Sequence, residues 1–186
     1  MVNADVKPWD RVGIVGIGGL GHMAIQFANK WGCEVTVFSS TSSKKDEAIR
    51  LGAHNFVAAK ETPDFSTLGL RPLDHLFVTT SELPDWKQYL PVLADHASIV
   101  PLTVSMDELK VGNALGFISK EFRLVGSVGG GRGVHDDMLE FVARHGIKPM
   151  IEIVSGLLQR SAFLLIHRSL MARPIGTAAD GREKHQ

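Results

Sequence analysis

The strongest chemical signal in the chain is the glycine spacing of Gly16-Ile17-Gly18-Gly19-Leu20-Gly21. This G-x-G-x-x-G run is set between the apolar stretch Arg11 to Val15 and an amphipathic stretch from about Gly19 to Trp31. Between a strand and a helix, that spacing suits a pyrophosphate held by main-chain amides. Gly16 permits the tight turn out of the strand, Gly18 lets backbone approach the diphosphate with no Cβ in the way, and Gly21 lets the helix pack close to the sheet. Amides at the helix start then face the phosphate oxygens, and the helix dipole adds favourable charge. The plain alternative is a glycine-rich turn with no ligand, against which the flanking strand and helix both speak. No Lys-Ser or Lys-Thr pair follows Gly21, so a loop gripping a terminal phosphate and magnesium does not fit.

About twenty residues further on, at the end of the second apolar run, an Asp or Glu would accept hydrogen bonds from the adenosine ribose of NAD(H). The sequence there is Phe38-Ser39-Ser40-Thr41-Ser42-Ser43-Lys44-Lys45, with no carboxylate in the turn. A 2′-phosphate would meet hydroxyls and an ammonium group instead of a repelling charge, so NADP(H) is favoured over NAD(H). The same residues also read as a helix start, with Ser42 or Ser43 as N-cap and Lys44 and Lys45 solvated; the two readings hold together.

Other groups carry less. The histidines His22, His54, His75, His96, His135, His145, His167 and His185 show no close i,i+4 pair and no His-Glu-x-x-His run, and read as surface or helix-end residues. His22, beside the glycine loop, reads as a packing and hydrogen-bonding residue rather than a base. Gly126-Ser127-Val128-Gly129 looks like a nucleophile elbow, but Val125 stands where a glycine is required, which argues against acyl transfer. The only tyrosine, Tyr89, is followed four residues later by Leu93, so the Tyr–Lys acid pair of short-chain dehydrogenases is missing. Gly129-Gly130-Gly131-Arg132-Gly133 reads as a flexible loop more readily than as an anion cradle, because no helix is expected to start at once after it. The single cysteine, Cys33, rules out a disulfide framework or a thiolate cluster around structural zinc, and reads as a small buried or half-buried residue.

These groups need a scaffold. Short runs rich in Val, Ile and Phe alternate with longer amphipathic stretches, the pattern of a parallel sheet covered on both faces by helices. Strands are expected at Arg11 to Val15, Glu34 to Phe38, Asn55 to Ala58, Leu73 to Thr79, Ala97 to Leu102 and Arg123 to Val128. Helices are expected at Gly19 to Trp31, Lys44 to Leu51, Asp85 to Leu93, around Leu115 to Lys120, and His135 to His145. The first would turn Leu20, Met23, Ala24, Phe27 and Ala28 to the sheet and stop at Gly32, while Asp136 and Asp137 would sit near the positive end of the last. The result is an α/β, doubly wound parallel sheet (Rossmann fold) of order 3-2-1-4-5-6, with ligands at the carboxyl edge where the order reverses. Pro149 to Val154 is a candidate further strand. The reading places one Rossmann domain over 1–154 and an irregular, partly disordered extension over 155–186, whose apolar residues from Leu157 to Ile166 are simplest as a docked helix.

Composition agrees. At 186 residues and 44% apolar side chains the chain can bury one substantial core. Its 20 basic and 20 acidic side chains balance, which argues against a nucleic-acid partner. No apolar run approaches the ~20 residues that cross a bilayer. The start lacks the build of a signal peptide, so a cytoplasmic protein with no membrane partner is expected.

The stretch from Arg11 through Gly52 resembles the cofactor domain of the cinnamyl alcohol dehydrogenase branch of the medium-chain, zinc-dependent alcohol dehydrogenases. The residues that carry the likeness are Gly-Ile-Gly-Gly-Leu-Gly-His-Met-Ala at 16 to 24, the serine-rich turn with Lys44, and Leu51-Gly52-Ala53. It continues through Leu73-Asp74-His75-Leu76-Phe77-Val78-Thr79-Thr80, Pro101-Leu102, Leu124-Val125-Gly126-Ser127 and Gly146-Ile147-Lys148-Pro149. Position by position, the resemblance implies that Gly18, Gly19 and Leu20 line the pyrophosphate, in a loop shaped by Gly16 and Gly21. It gives the 2′-phosphate to Ser39, Ser40 and Lys44, and has Thr79 and Thr80 close over the middle of the cofactor. Pro101, Leu102 and Ser127 would lie near the nicotinamide ribose and ring.

The resemblance also implies hydride transfer between NADPH and an aldehyde or primary alcohol whose oxygen is polarised by a catalytic zinc. Members of the family carry an N-terminal catalytic domain with that zinc and a four-cysteine structural zinc. This chain begins where such a domain should have finished and has nothing to replace it, and Ser155 to Gln186 departs from the family pattern. The expectation is therefore a truncated or altered product: an NADP(H)-binding domain with no catalytic residues and no metal ligands of its own. The alternatives are a nucleotide-binding or interaction module that does no chemistry, and a fragment that does not fold alone. A homodimer through the edge strand near Arg123 to Val128, which has no charge after its first residue, is also expected.

Overall fold

Val12, Ile14, Val35, Val37, Phe77 and Val100 alternate along the chain with Val15, Phe38, Leu76, Val78 and Ile99, and the alternation sorts them onto the two faces of one sheet. Both faces are buried, because parallel strands joined by crossovers are covered from both sides. The structure is a computed structural model that describes residues 2–105 and 108–151. Its six parallel strands lie in the order β3-β2-β1-β4-β5-β6. They are β1 (Arg11–Val15), β2 (Glu34–Ser39), β3 (Asn55–Ala58), β4 (Leu73–Val78), β5 (Leu93–Pro101) and β6 (Arg123–Leu124). The helices are α1 (Gly21–Trp31), α2 (Lys45–Leu51), α3 (Trp86–Tyr89), α4 (Ala114–Ser119) and α5 (Arg132–His145). The doubly wound fold and strand order expected from the pattern are the ones observed.

Packing follows from the apolar faces. α1 buries Gly21, His22, Ile25 and Ala28, and stops at Gly32, whose φ of +103° suits the left-handed cap. α5 docks through Phe141, whose ring lies 5.8 Å from Phe27 and 5.5 Å from Trp31. On the other face Phe38, Phe65 and Tyr89 meet with ring centroids 5.1–5.2 Å apart. The starts of β1 and β4 are tied by Arg11, which donates to Asp74 through its own amide at 2.8 Å and through two guanidinium nitrogens at 3.1 and 3.0 Å.

Boundaries depart from expectation where backbone chemistry overrides the apolar pattern. α1 begins at Gly21 rather than Gly19, and Leu20, expected on the sheet-facing side, is 57% exposed. The helix expected over Asp85 to Leu93 breaks into α3 and a 3-10 turn, Leu90–Val92, because Pro91 has no amide to continue it. β5 starts at Leu93, ahead of the expected Ala97, through a register irregularity against β4 between Leu73 and His75. β6 is two residues long, so Gly126, Ser127 and Val128 lie beyond the ladder; glycine gives a strand no side chain to pack.

α5 starts at Arg132 rather than His135. Asp136 and Asp137 therefore miss its first turn, and the glycine run 129–133 does lead straight into a helix, with Gly131 as N-cap. Among the described residues, His75 departs from the surface or helix-end reading: it is buried in β4, where Nε2 lies 2.8 Å from Asp10 Oδ2, while His22, in the first turn of α1, is buried as a packing residue. The chain divides into a compact unit of Met1–Met150 and a second unit, Ile151–Gln186. Residues 149–151 form no strand, and the rest of the expected strand to Val154, the extension 155–186 and its apolar run lie outside the described residues. Among the described residues, no helix is long and apolar enough to cross a membrane.

Candidate functional site

The strand order reverses between β1 and β4, and at that carboxyl edge a cavity of about 930 Å³ opens. Gly16, Gly18, Gly19 and Leu20 line it from the loop after β1, and Ser39, Ser40 and Lys44 from the turn after β2. Thr79 and Thr80 line it from the end of β4, and Leu102 from the end of β5. Three of the expected residues are not in the lining. Gly21 is buried at the start of α1 and Pro101 ends β5. Ser127 is exposed and its hydroxyl accepts from Asn3 Nδ2 at 3.2 Å.

The loop is shaped by what its glycines lack. Gly16 has φ +98° and its N–H donates to Phe38 O at 2.8 Å, which turns the chain out of β1. A Cβ on Gly21 would lie 2.1 Å from Gly16 O, so only glycine lets α1 start this close to the sheet. At Gly18 and Gly19 an added Cβ would meet nothing within 4 Å, so their main chain faces open space. The first helical bonds close from His22 N–H to Gly18 O at 3.0 Å and from Ala24 N–H to Leu20 O at 2.9 Å. Ahead of them lie the donors that every helix N-terminus leaves free, on residues that line the cavity.

Neighbouring side chains hold the loop in place. The Thr79 amide and hydroxyl both donate to Val15 O, at 2.9 and 2.8 Å, so Thr79 pins the strand end. Thr103 Oγ1 donates to Thr80 O at 2.8 Å, and Thr80 Oγ1 to Glu82 O at 2.6 Å, which sets the wall beyond β4. His22 works in the same way. Its Nε2 accepts from the Met150 amide at 3.1 Å, which puts the ring proton on Nδ1, 3.0 Å from Gly18 O. Gln26 adds a two-way clamp, donating to Lys148 O at 3.0 Å and accepting from Lys148 N–H at 3.3 Å. The segment before Ile151 is thereby joined to the glycine loop.

Neither Ser42 nor Ser43 caps α2, contrary to expectation. A 3-10 turn, Ser42–Lys44, comes first, and Lys44 takes the cap position with no side-chain bond. Lys44 Nζ instead donates to Ile17 O at 3.0 Å, bridging the turn to the glycine loop. The turn is zipped to the exit of β3: Ala59 N–H donates to Ser39 O at 2.7 Å, Lys60 N–H to Ser40 O at 3.0 Å, and Ser42 N–H to Glu61 Oε1 at 2.8 Å. This brings Lys60 into the cavity lining and a carboxylate to a turn that has none in its own sequence. No local signal marks either residue. Only the parallel register of β2 with β3, which ends on Ser39 opposite Ala58, places them there.

Tyr89 and Phe38 form the apolar wall of the cavity, and burial pushes the Tyr89 phenol up to about 12, so it stays neutral. Burial also pushes Cys33 up to about 11, and its thiol lies 3.4 Å from Lys7 O. Among the described residues, no group of three or more His, Cys, Asp or Glu could hold a metal ion.

A family model described as zinc-binding dehydrogenase matches residues 19–144. An aldehyde reductase, AdhA, of Synechocystis is 34% identical over 152 residues, which are 82% of this chain and 45% of that protein. Among solved structures, a cinnamyl alcohol dehydrogenase (SbCAD4) of Sorghum bicolor superposes with a TM-score of 0.76 at 30% identity, covering 90% of this chain and 46% of that one. The Helicobacter pylori protein CAD, solved complexed with NADP(H), gives 0.72 at 27% identity, covering 89% and 47%. The chain thus spans less than half the length of the curated relatives it matches.

Proposed function

This chain belongs to the zinc-binding dehydrogenase family, and on that premise we propose that it binds NADP(H) and serves hydride transfer between that cofactor and an aldehyde or primary alcohol. One observation carries the reading. A single cavity at the point where the sheet order reverses is lined both by a glycine loop whose main chain faces open space and by a turn bearing hydroxyls and cations. The diphosphate takes the amides of Gly18, Gly19 and Leu20, with Gly16 and Gly21 shaping the loop. The 2′-phosphate lies against Ser39, Ser40 and Lys44, Thr79 and Thr80 flank the middle of the cofactor, and Leu102 lies toward its nicotinamide end. Placing Pro101 and Ser127 at the nicotinamide end rests on the resemblance alone.

When bound, the cofactor supplies or accepts the hydride; residues of this chain hold and orient it. The described residues bring together no group that fits zinc. The relatives, an aldehyde reductase and a cinnamyl alcohol dehydrogenase, support the substrate class. A cytosolic setting fits the single free thiol, buried Cys33.

Calorimetry on the folded chain tests the reading. NADP⁺ should bind more tightly than NAD⁺, and at about 100 times its Kd should stabilise the fold by about 2.7 kcal/mol. A well-folded chain that takes up neither dinucleotide refutes it. A second reading is binding without turnover by this chain alone, since among the described residues no group of three or more His, Cys, Asp or Glu could hold a metal ion. Aldehyde reduction by the purified chain with NADPH and zinc would defeat it. A third, a fragment unable to fold alone, is removed by a cooperative thermal transition that NADP⁺ raises. Homodimerisation is also proposed, because β6 is an outer strand and Leu115 and Ile118 of α4 are 77% and 71% exposed. A monomer mass in solution would end that proposal.

A further inference from the structure

The turn after β2 has a second layer, supplied by the exit of β3, and its two side chains carry opposite charges. Lys60 lines the cavity beside Ser39, Ser40 and Lys44, and its amide is fixed to Ser40 O at 3.0 Å. Glu61, the next residue, accepts the Ser42 amide at 2.8 Å. Lys44 meanwhile donates to Ile17 O, on the glycine-loop side of the cavity. We propose that Lys60 and Glu61 are specificity-determining residues that work against each other: Lys60 favours a 2′-phosphate, and Glu61 moderates that preference by placing a carboxylate on the turn that must receive it. The inference rests on the dinucleotide reading above and adds to it which residues set the discrimination.

A phosphate monoester brings a charge of about −1.5 to −2, whereas a 2′-hydroxyl brings none. A lysine in the lining and a glutamate on the turn therefore change the affinity for the phosphorylated dinucleotide and leave the other nearly untouched. Glu61 also satisfies the Ser42 amide, and a glutamine oxygen accepts the same bond. Glu61→Gln thus removes the charge and keeps the turn in place, and Lys60→Gln removes the cation from a backbone that stays bonded to Ser40.

Calorimetry with NADP⁺ and NAD⁺ on the full chain and the two variants reads the result. Lys60→Gln is expected to weaken NADP⁺ roughly three- to tenfold, and Glu61→Gln to tighten it roughly threefold, with NAD⁺ shifting less than about twofold in each, as exposed charges acting on a dianion imply. Both differences should collapse in ~1 M salt, where the screening length is about 3 Å. A purely structural role would weaken both dinucleotides, in both variants, at any salt. The inference is overturned if the NADP⁺ to NAD⁺ ratio stays within twofold of wild type, or if both variants move it in the same direction. Because the prediction concerns the change in that ratio, it stands or falls whichever dinucleotide the wild type prefers. A folded wild type that binds neither removes the dinucleotide reading and this inference with it, whereas a wild type that binds with an unmoved ratio in the variants removes only the inference. Adenosine 2′-monophosphate, titrated as a probe of the turn by itself, should show the same two opposite shifts, and no shift counts against the proposal.

Discussion

Gly21→Ala should be damaging in two measurable ways, and Gly18→Ala in only one. An alanine Cβ at position 21 would sit 2.1 Å from Gly16 O, whereas real Cβ contacts do not fall below 3.0 Å. The neighbour is backbone, so the start of α1 must move off the loop by at least the difference, about 0.9 Å. Overpacking of this kind costs about 1–3 kcal/mol, which for a domain of this size lowers Tm by roughly 3–10 °C. The same shift would stretch an amide–phosphate bond from ~2.9 to ~3.8 Å, beyond hydrogen-bond range. Losing one such charge-assisted bond weakens NADP⁺ roughly 10- to 150-fold. At Gly18 an added Cβ meets nothing within 4 Å, so Gly18→Ala should change stability by less than ~0.5 kcal/mol. It should still lose NADP⁺, because the Cβ fills the path along which the diphosphate approaches. Thermal melts and calorimetry on the pair decide the matter. The reasoning fails if Gly21→Ala melts within a degree of wild type, or if Gly18→Ala is destabilised as much.

Other consequences follow from single contacts. Burial alone would raise the Asp74 carboxyl, but its bonds from Arg11 outweigh that and hold it below the ordinary 3.8. Its stabilisation, about 1–2 kcal/mol for a pair this exposed, is therefore full above pH ~4 and lost as acid carries the pH down through the lowered value; Asp74→Asn should remove the contribution and flatten acid melts in that window. At His22, asparagine can replace the Nδ1 donor to Gly18 O and glutamine the Nε2 acceptor for the Met150 amide. His22→Asn should keep NADP⁺ affinity within about threefold, while His22→Gln should lose more, by calorimetry, since ~1 kcal/mol of loop support goes with that bond. Phe65→Ala empties the fully buried ring site against Phe38 and Tyr89, so urea melts should show a loss of about 3–5 kcal/mol.

Local sequence chemistry was enough for the elements and for the loop. Apolar runs bounded by glycine and proline mark each strand. The spacing of Gly16, Gly18 and Gly21 between a strand and a helix belongs to one kind of turn, because each glycine answers a steric demand made within a few residues. Strand order was legible as well, since parallel strands with right-handed crossovers leave few arrangements. The ends of elements were less so. Pro91 breaking a helix and Gly126 cutting β6 short could have been foreseen, but the start of α5 at Arg132, inside a glycine-rich run, could not. At the site, Ser39, Ser40 and Lys44 share one turn with the strand that delivers them, and their place is local knowledge.

Lys60 and Glu61 are different. They reach that turn only because β3 lies beside β2 in one register, Ser39 against Ala58, and no window along the chain shows a carboxylate approaching Ser42. His22 likewise acquires its fixed tautomer from Met150, which is remote in sequence. Ser127, drawn to Asn3 instead of the cavity, shows the converse. The amino-acid order settled which residues make up the glycine loop and the turn after β2; the pairing of distant segments decided which charges come beside that turn, because electrostatic contact depends on distance in space and the chain brings those groups together only by folding.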